Sequence, residues 1–161
     1  MKEAFILCGI PGSGKSTFVM QLVQIYPDAI IEVISPDKIR GEINGNEADQ
    51  SNPELVWKIA HERFFKACNM DFDIVVLDAT MTVPKVRKKF VEAYRKAVVG
   101  RELSLLVMKT PLEVSMMQNA KRERRVPQEV IEKMYRNLQL NPPSLSEGFD
   151  SIMEIEYETP L

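Results

Sequence analysis

The stretch CGIPGSGKST, Cys8 to Thr17, sets Gly9, Gly14, Lys15 and Ser16 in the pattern G-x-x-x-x-G-K-[ST], directly after the apolar run Ala4-Phe5-Ile6-Leu7. Glycines at 9, 12 and 14 let a backbone turn its N–H groups onto an anion, and a helix starting at Lys15 adds the positive end of its dipole. Gly12, Ser13, Gly14, Lys15, Ser16 and Thr17 are therefore the expected phosphate cradle, with Thr17 as the second residue of the helix. In such a loop the lysine reaches the β- and γ-phosphates of a nucleoside triphosphate such as ATP, and the serine hydroxyl binds Mg²⁺.

Three further groups have the chemistry to act on that phosphate. In SPDKIR, Asp37 and Arg40 stand three apart and share one side of a helical turn. The carboxylate suits a proton acceptor for an attacking hydroxyl and the guanidinium a clamp on a substrate phosphate. The alternative is a plain helix start, capped by Ser35 or Asp37, with Arg40 in solvent. In VVLDATMT, Asp78 ends an apolar run, where a second acidic group holds the metal or its water shell; the alternative is a cap on the following turn. In QNAKRERRVP, Lys121, Arg122, Arg124 and Arg125 precede Pro127. They read either as a solvated helix end or as a lid, about residues 111–130, that places Arg122 and Arg125 on one face over a transferring phosphoryl group.

These residues need elements to carry them. Apolar runs at Phe5–Cys8, Ala29–Ile34, Phe72–Leu77, Leu103–Met108 and Ile152–Tyr157 read as strands, the middle ones continuous enough to be buried on both faces. Helical periodicity fills the gaps. Lys15–Ile25 carries Phe18, Val19, Leu22 and Val23 on one face, and Pro53–Asn69 carries Leu55, Val56, Ile59, Phe64 and Cys68. Pro84–Val99 and Pro127–Leu138 repeat the device of a proline opening a helix. Strand alternating with helix predicts one α/β domain over residues 1–161, a doubly wound parallel sheet with helices on both faces and ligands beyond the carboxyl ends of its strands.

Composition narrows the classes. A net charge of -2 gives no basic field for long duplex nucleic acid, so any nucleic-acid contact is local. Cys8 and Cys68 lie in apolar surroundings without metal or redox spacing and are expected as reduced core residues of a cytoplasmic protein. The first apolar run is too short for a signal peptide or a membrane span, so no membrane partner is expected.

The order G-x-P-G-S-G-K-S-T, then S-x-D-x-x-R (Ser35, Asp37, Arg40), then D-A-T (Asp78 to Thr80), then N-x-x-R-x-x-R-V-P (Asn119, Arg122, Arg125, Val126, Pro127) resembles the P-loop kinases of the bacteriophage-type 5′-hydroxyl polynucleotide kinase group over nearly the whole chain. The resemblance implies a P-loop kinase fold with an Arg-rich lid. It also implies ATP and Mg²⁺ at Lys15 and Ser16, Asp37 as general base on the 5′-hydroxyl of a nucleic-acid end, Arg40 on an acceptor phosphate and Arg122 on the donor phosphates. The resemblance further implies that such modules often form homo-oligomers or sit fused to a phosphatase or ligase, with neither fusion expected within these 161 residues. Two positions depart from the pattern: Met81 stands where related modules commonly carry asparagine, and Ala79 where the phage-type enzymes place an aspartate. A kinase of a small-molecule hydroxyl and a nucleotide-binding switch that transfers nothing are the rival readings.

Other residues invite blander expectations. Lys85, Arg87, Lys88 and Lys89 read as an exposed helix face, with a nucleic-acid backbone contact as the alternative. His61 has no nucleophile partner in any motif. Trp57, beside Leu55 and Ile59, reads as core rather than as a base-stacking surface. The nine methionines, Met116 and Met117 among them, read as gap fillers.

Overall fold

The computed structural model describes residues 2–122 and 125–157. Its sheet comprises β1 (Glu3–Cys8), β2 (Ile31–Ile34), β3 (Ile74–Leu77), β4 (Glu102–Lys109) and β5 (Ser151–Glu156), in the spatial order β2-β3-β1-β4-β5 and parallel throughout. The intervening helices are α1 (Lys15–Ile25), α2 (Pro36–Asn44), α3 (Pro53–Cys68), α4 (Pro84–Ala97), α5 (Leu112–Ala120) and α6 (Gln128–Leu140). This is the doubly wound α/β architecture that the alternation of patterns predicts.

The pleat sorts each strand into two cores. Ala4, Ile6 and Cys8 of β1, Val75 and Leu77 of β3, and Leu103, Leu105 and Val107 of β4 pack with α3 and α4 through Val56, Phe64, Phe90 and Tyr94. The alternate residues Leu7, Ile74, Val76 and Leu106 face Leu22 of α1. Both cysteines are buried, free thiols.

Helix starts follow local chemistry. Pro53 and Pro84 sit in the first turns of α3 and α4, and the Ser35 side chain caps α2 by accepting from the Lys38 N–H at 3.3 Å. β2 and β3 begin later than the apolar runs suggest, because Asp73 ties their entry together. Its N–H donates to the Ile30 carbonyl (2.9 Å), and its Oδ2 accepts from the Ile30 N–H (2.8 Å).

Several expected faces need correction. Val23 and Leu55 are exposed, each lying beside the buried stripe of its helix. Met20, Met70 and Met117 are at least half exposed and fill no gap. Arg87 is not on a solvated face: it shares the buried side of α4 with Phe90, Val91 and Tyr94, at helical spacing, and is 0% exposed. Its Nε and Nη2 donate to Oε1 and Oε2 of Glu147 at 2.8 and 2.9 Å, and its Nη1 donates to the Met81 carbonyl at 2.9 Å. The composition gives no hint of Arg101, which is buried at the amino end of the sheet. Its guanidinium donates to the carbonyls of Cys68, Glu3, Met70 and Phe72, closing the loops at that end. Among the described residues, no helix is long and apolar enough to cross a membrane.

Candidate active site

The loops after β1, β2 and β3 meet at one end of the sheet, held level by register. Ile6 and Ile34 both pair with Leu77, so the residues following each strand emerge side by side. The Asp78 N–H then donates to the Ile34 carbonyl (3.0 Å) and the Gly9 N–H to the Thr80 carbonyl (2.9 Å). Together these loops and the segment after α5 enclose a cavity of about 910 Å³. Its walls include Gly12, Gly14, Lys15, Ser16 and Thr17 from the first loop, Asp37 and Arg40 from α2, Asp78 to Thr80 after β3, and Arg122, Arg125 and Val126.

The glycine loop has the backbone that its sequence requires. Gly12 and Gly14 have φ of 83° and 91°, the left-handed region that glycine enters freely, and Gly14 caps α1. A Cβ on Gly12 would stand 2.2 Å from the Ser115 carbonyl oxygen of α5, whereas one on Gly14 would meet nothing within 4 Å. Gly12→Ala is therefore expected to force the loop off α5, costing about 1–3 kcal/mol for overpacking beyond the φ strain that Gly14→Ala also carries. Thermal melts with and without ATP should show Gly12→Ala losing both stability and the ATP-dependent shift, with Gly14→Ala the milder of the two.

Ser13 departs from its neighbours in the cradle. It is buried, its carbonyl accepts from the Thr110 hydroxyl at 2.7 Å, and its side chain lies among the loop atoms rather than in the cavity wall. The hydroxyls of Ser13 and Ser115 are buried without a hydrogen-bond partner among the described residues.

Lys15 donates from Nζ to the Gly9 and Ile10 carbonyls at 2.9 and 3.0 Å. Burial lowers its pKa to about 8, against the pull of nearby Asp78. A bound triphosphate favours the ammonium, so proton uptake and ATP binding are linked. Affinity for ATP is expected to be full below about pH 8 and to fall as pH rises through it, by at most tenfold per unit. Calorimetric titrations with ATP between about pH 7 and pH 10 check the slope; a flat profile would mean that the lysine does not carry the binding charge.

Asp78 and Ser16 are within reach of each other, the serine Oγ donating to Oδ2 at 3.4 Å. Burial raises the Asp78 pKa, with Lys15 opposing, so its carboxylate gains from any cation brought beside it. A hydroxyl and one carboxylate are hard oxygen donors of the kind Mg²⁺ accepts alongside substrate phosphates. Among the described residues, no group of three or more His, Cys, Asp or Glu side chains forms a cage for a metal. Phosphate oxygens and water would supply the remaining ligands.

Across the cavity, Arg40 Nη1 donates to Asp37 Oδ1 at 2.5 Å. Arg40 is the more buried of the two, with 11% of its side chain exposed against 43% for Asp37. The connector after α5 is stapled by Asn119, whose Nδ2 donates to the Val126 carbonyl (2.8 Å) and whose Oδ1 accepts from the Val126 N–H (3.1 Å). Arg122, Arg125 and Val126 line the cavity, and Arg125 Nε donates to the Arg122 carbonyl at 3.3 Å. Arg124 lies outside the described residues.

Met81 and Trp57 qualify the reading of the sequence. Met81 is buried with φ 49°, a conformation that asparagine tolerates and methionine resists, so the departure at this position carries local backbone strain. Trp57 packs against the core and also lines the cavity, so it is only half of what its neighbours suggest.

A family model described as an AAA domain matches residues 5–141. Among solved structures, a chain of the Pnkp1/Rnl/Hen1 RNA repair complex matches with a TM-score of 0.73 and 23% identity over 92% of this chain, which spans 46% of that chain's length. Shikimate kinase from Acinetobacter baumannii, bound to shikimate, matches at 0.60 and 13% over 97% of this chain and 85% of its own. A sugar kinase from Janibacter sp. matches at 0.66 and 14% over 99% and 88%. At these identities the likeness is one of fold. The family match over residues 5–141 shows that this chain belongs to the AAA domain family, with the five-stranded α/β fold of a P-loop kinase.

Proposed function

We propose that this chain transfers the γ-phosphoryl group of ATP to the 5′-hydroxyl of a polynucleotide end. The observation that carries this reading is that Asp37 and Arg40 line the same cavity as Lys15, Ser16, Asp78 and Arg122. A proton acceptor thus shares one chamber with a triphosphate cradle, and a cation beside that acceptor suits an alcohol that brings a phosphate of its own. The 5′ end of a nucleic acid does this, through the phosphodiester on the same nucleotide. A volume of about 910 Å³ is at the large end for a single-ligand pocket and leaves space for donor and acceptor together.

Each residue then has a role in an in-line transfer that asks for positioning and charge neutralisation more than covalent chemistry. Gly12, Gly14 and Thr17 present backbone to the donor phosphates while Lys15 and Arg122 neutralise them, with Arg125 beside Arg122. Ser16 and Asp78 would hold Mg²⁺, which supplies charge neutralisation at the phosphates when bound. Asp37 orients the attacking hydroxyl and takes its proton, and Arg40 binds the acceptor phosphate. The Asn119 clamp holds the connector where it excludes water.

The acceptor is tested by incubating the chain with labelled ATP, Mg²⁺ and, in parallel, 5′-hydroxyl RNA and DNA oligonucleotides and a panel of sugars and other small alcohols. Label on oligonucleotide 5′ ends is expected. Label confined to a small alcohol would replace this reading with that of a metabolite kinase, and ATP binding without transfer to any acceptor would leave a nucleotide switch.

A further inference from the structure

We propose that Trp57 forms a stacking platform for the terminal base of the acceptor, resting on the reading of this site as a polynucleotide kinase. Trp57 sits one position off the buried stripe of α3, where Val56, Ala60 and Phe64 are wholly enclosed. That offset leaves the indole half-buried: it packs against the core, stands 5.8 Å edge-on from the His61 ring, and forms part of the wall of the same cavity that Asp37 and Arg40 of α2 line. The indole is fixed on a helix and backed by a ring, so stacking on it costs little ordering.

Other residues of the cavity wall suit a flat, π-faced group. Val130 and Met134 of α6, four apart and on one helix face, contribute apolar wall, and Met is soft enough to fit rings of different size. Gln50, from the loop between α2 and α3, offers an amide with both donors and an acceptor. A nucleotide matches this sequence of surfaces: hydroxyl to Asp37, phosphate to Arg40, base to Trp57. The amides of Gln50 and Gln118 also line the cavity, but an aromatic platform reads the face of a base rather than its edge. Little preference among the four bases follows.

Trp57 is the chain's single tryptophan, so its fluorescence reports this surface directly. Emission is followed while a 5′-hydroxyl oligonucleotide is added, and then one whose 5′-terminal nucleotide is abasic. Acceptor KM, kcat and the KM for ATP are measured for both acceptors with the parent chain, Trp57→Ala and Trp57→Phe. The intact oligonucleotide should quench saturably and the abasic one only weakly. Trp57→Ala should raise the acceptor KM roughly 5- to 150-fold for the intact end and scarcely at all for the abasic end, with the ATP KM unchanged. Trp57→Phe should recover most of the loss, which separates stacking from a general loosening of α3. The proposal fails if oligonucleotides are phosphorylated but Trp57→Ala affects both acceptors alike, or if ATP binding suffers equally; the kinase reading then stands without the platform. If no oligonucleotide is phosphorylated by the parent chain, the kinase reading itself falls and takes the platform with it.

Discussion

Asp37→Asn is expected to bind ATP as the parent does and to transfer phosphoryl about 10²–10⁴-fold more slowly, the range for loss of a positioned general base. Asparagine keeps the size of the side chain and its place on the first turn of α2, after the Ser35 cap. What disappears is the negative charge that, on the proposed reading, would take the hydroxyl proton and that Arg40 holds at 2.5 Å. Donor binding should survive because the glycine loop, Lys15 and Ser16 reach the cavity from a different strand end. Calorimetry with ATP and single-turnover transfer to the best acceptor separate the two properties. Transfer at the parent's rate would sink Asp37 as the base, and lost ATP binding would place it in the donor site instead.

The glycine-loop side of this site is readable from sequence because its determinants are contiguous. Gly12, Gly14, Lys15 and Ser16 lie within five residues, between a strand and a helix that are themselves strongly patterned. Asp78 is legible as a carboxylate closing an apolar run and Asp37 as one paired with Arg40 on the helical turn after a strand, since a parallel sheet brings strand ends together whatever the length of the connections. Long-range packing was not legible. Four cations open α4, and periodicity alone puts Arg87 on the stripe of Phe90, Val91 and Tyr94. Glu147, the partner that makes its burial tolerable, is 60 residues away and announces nothing. Trp57 is half legible: its apolar neighbours point to the core it packs against, and only the assembled fold reveals that it is also cavity wall. Met81 shows the same limit, because a left-handed φ at a methionine is imposed by the turn between β3 and α4 rather than by its own propensity.

Arg87→Met is expected to destabilise the fold by about 3–5 kcal/mol, the cost of leaving one member of a buried ion pair behind. The Glu147 side chain is only 5% exposed and would keep its charge away from water with no guanidinium to meet it. The loss extends to the turn after Asp78. Arg87 also donates to the Met81 carbonyl, which otherwise accepts only the weaker Cys8 thiol at 3.4 Å among the described contacts, and Met81 already holds an unfavourable φ. Urea denaturation measures the effect, with unchanged m-value as the sign that the transition remains comparable. The double variant Arg87→Met with Glu147→Leu removes both charges and should recover much of the loss, because apolar replacement of a whole buried pair is often close to neutral. Recovery should be incomplete, since Glu147 also accepts from the Ser144 N–H in the cap of the Leu145–Glu147 turn, and the Met81 carbonyl stays without its arginine. A single variant within about 1 kcal/mol of the parent would show that water reaches Glu147 and that the pair holds neither the C-terminal turn nor the loop behind Asp78.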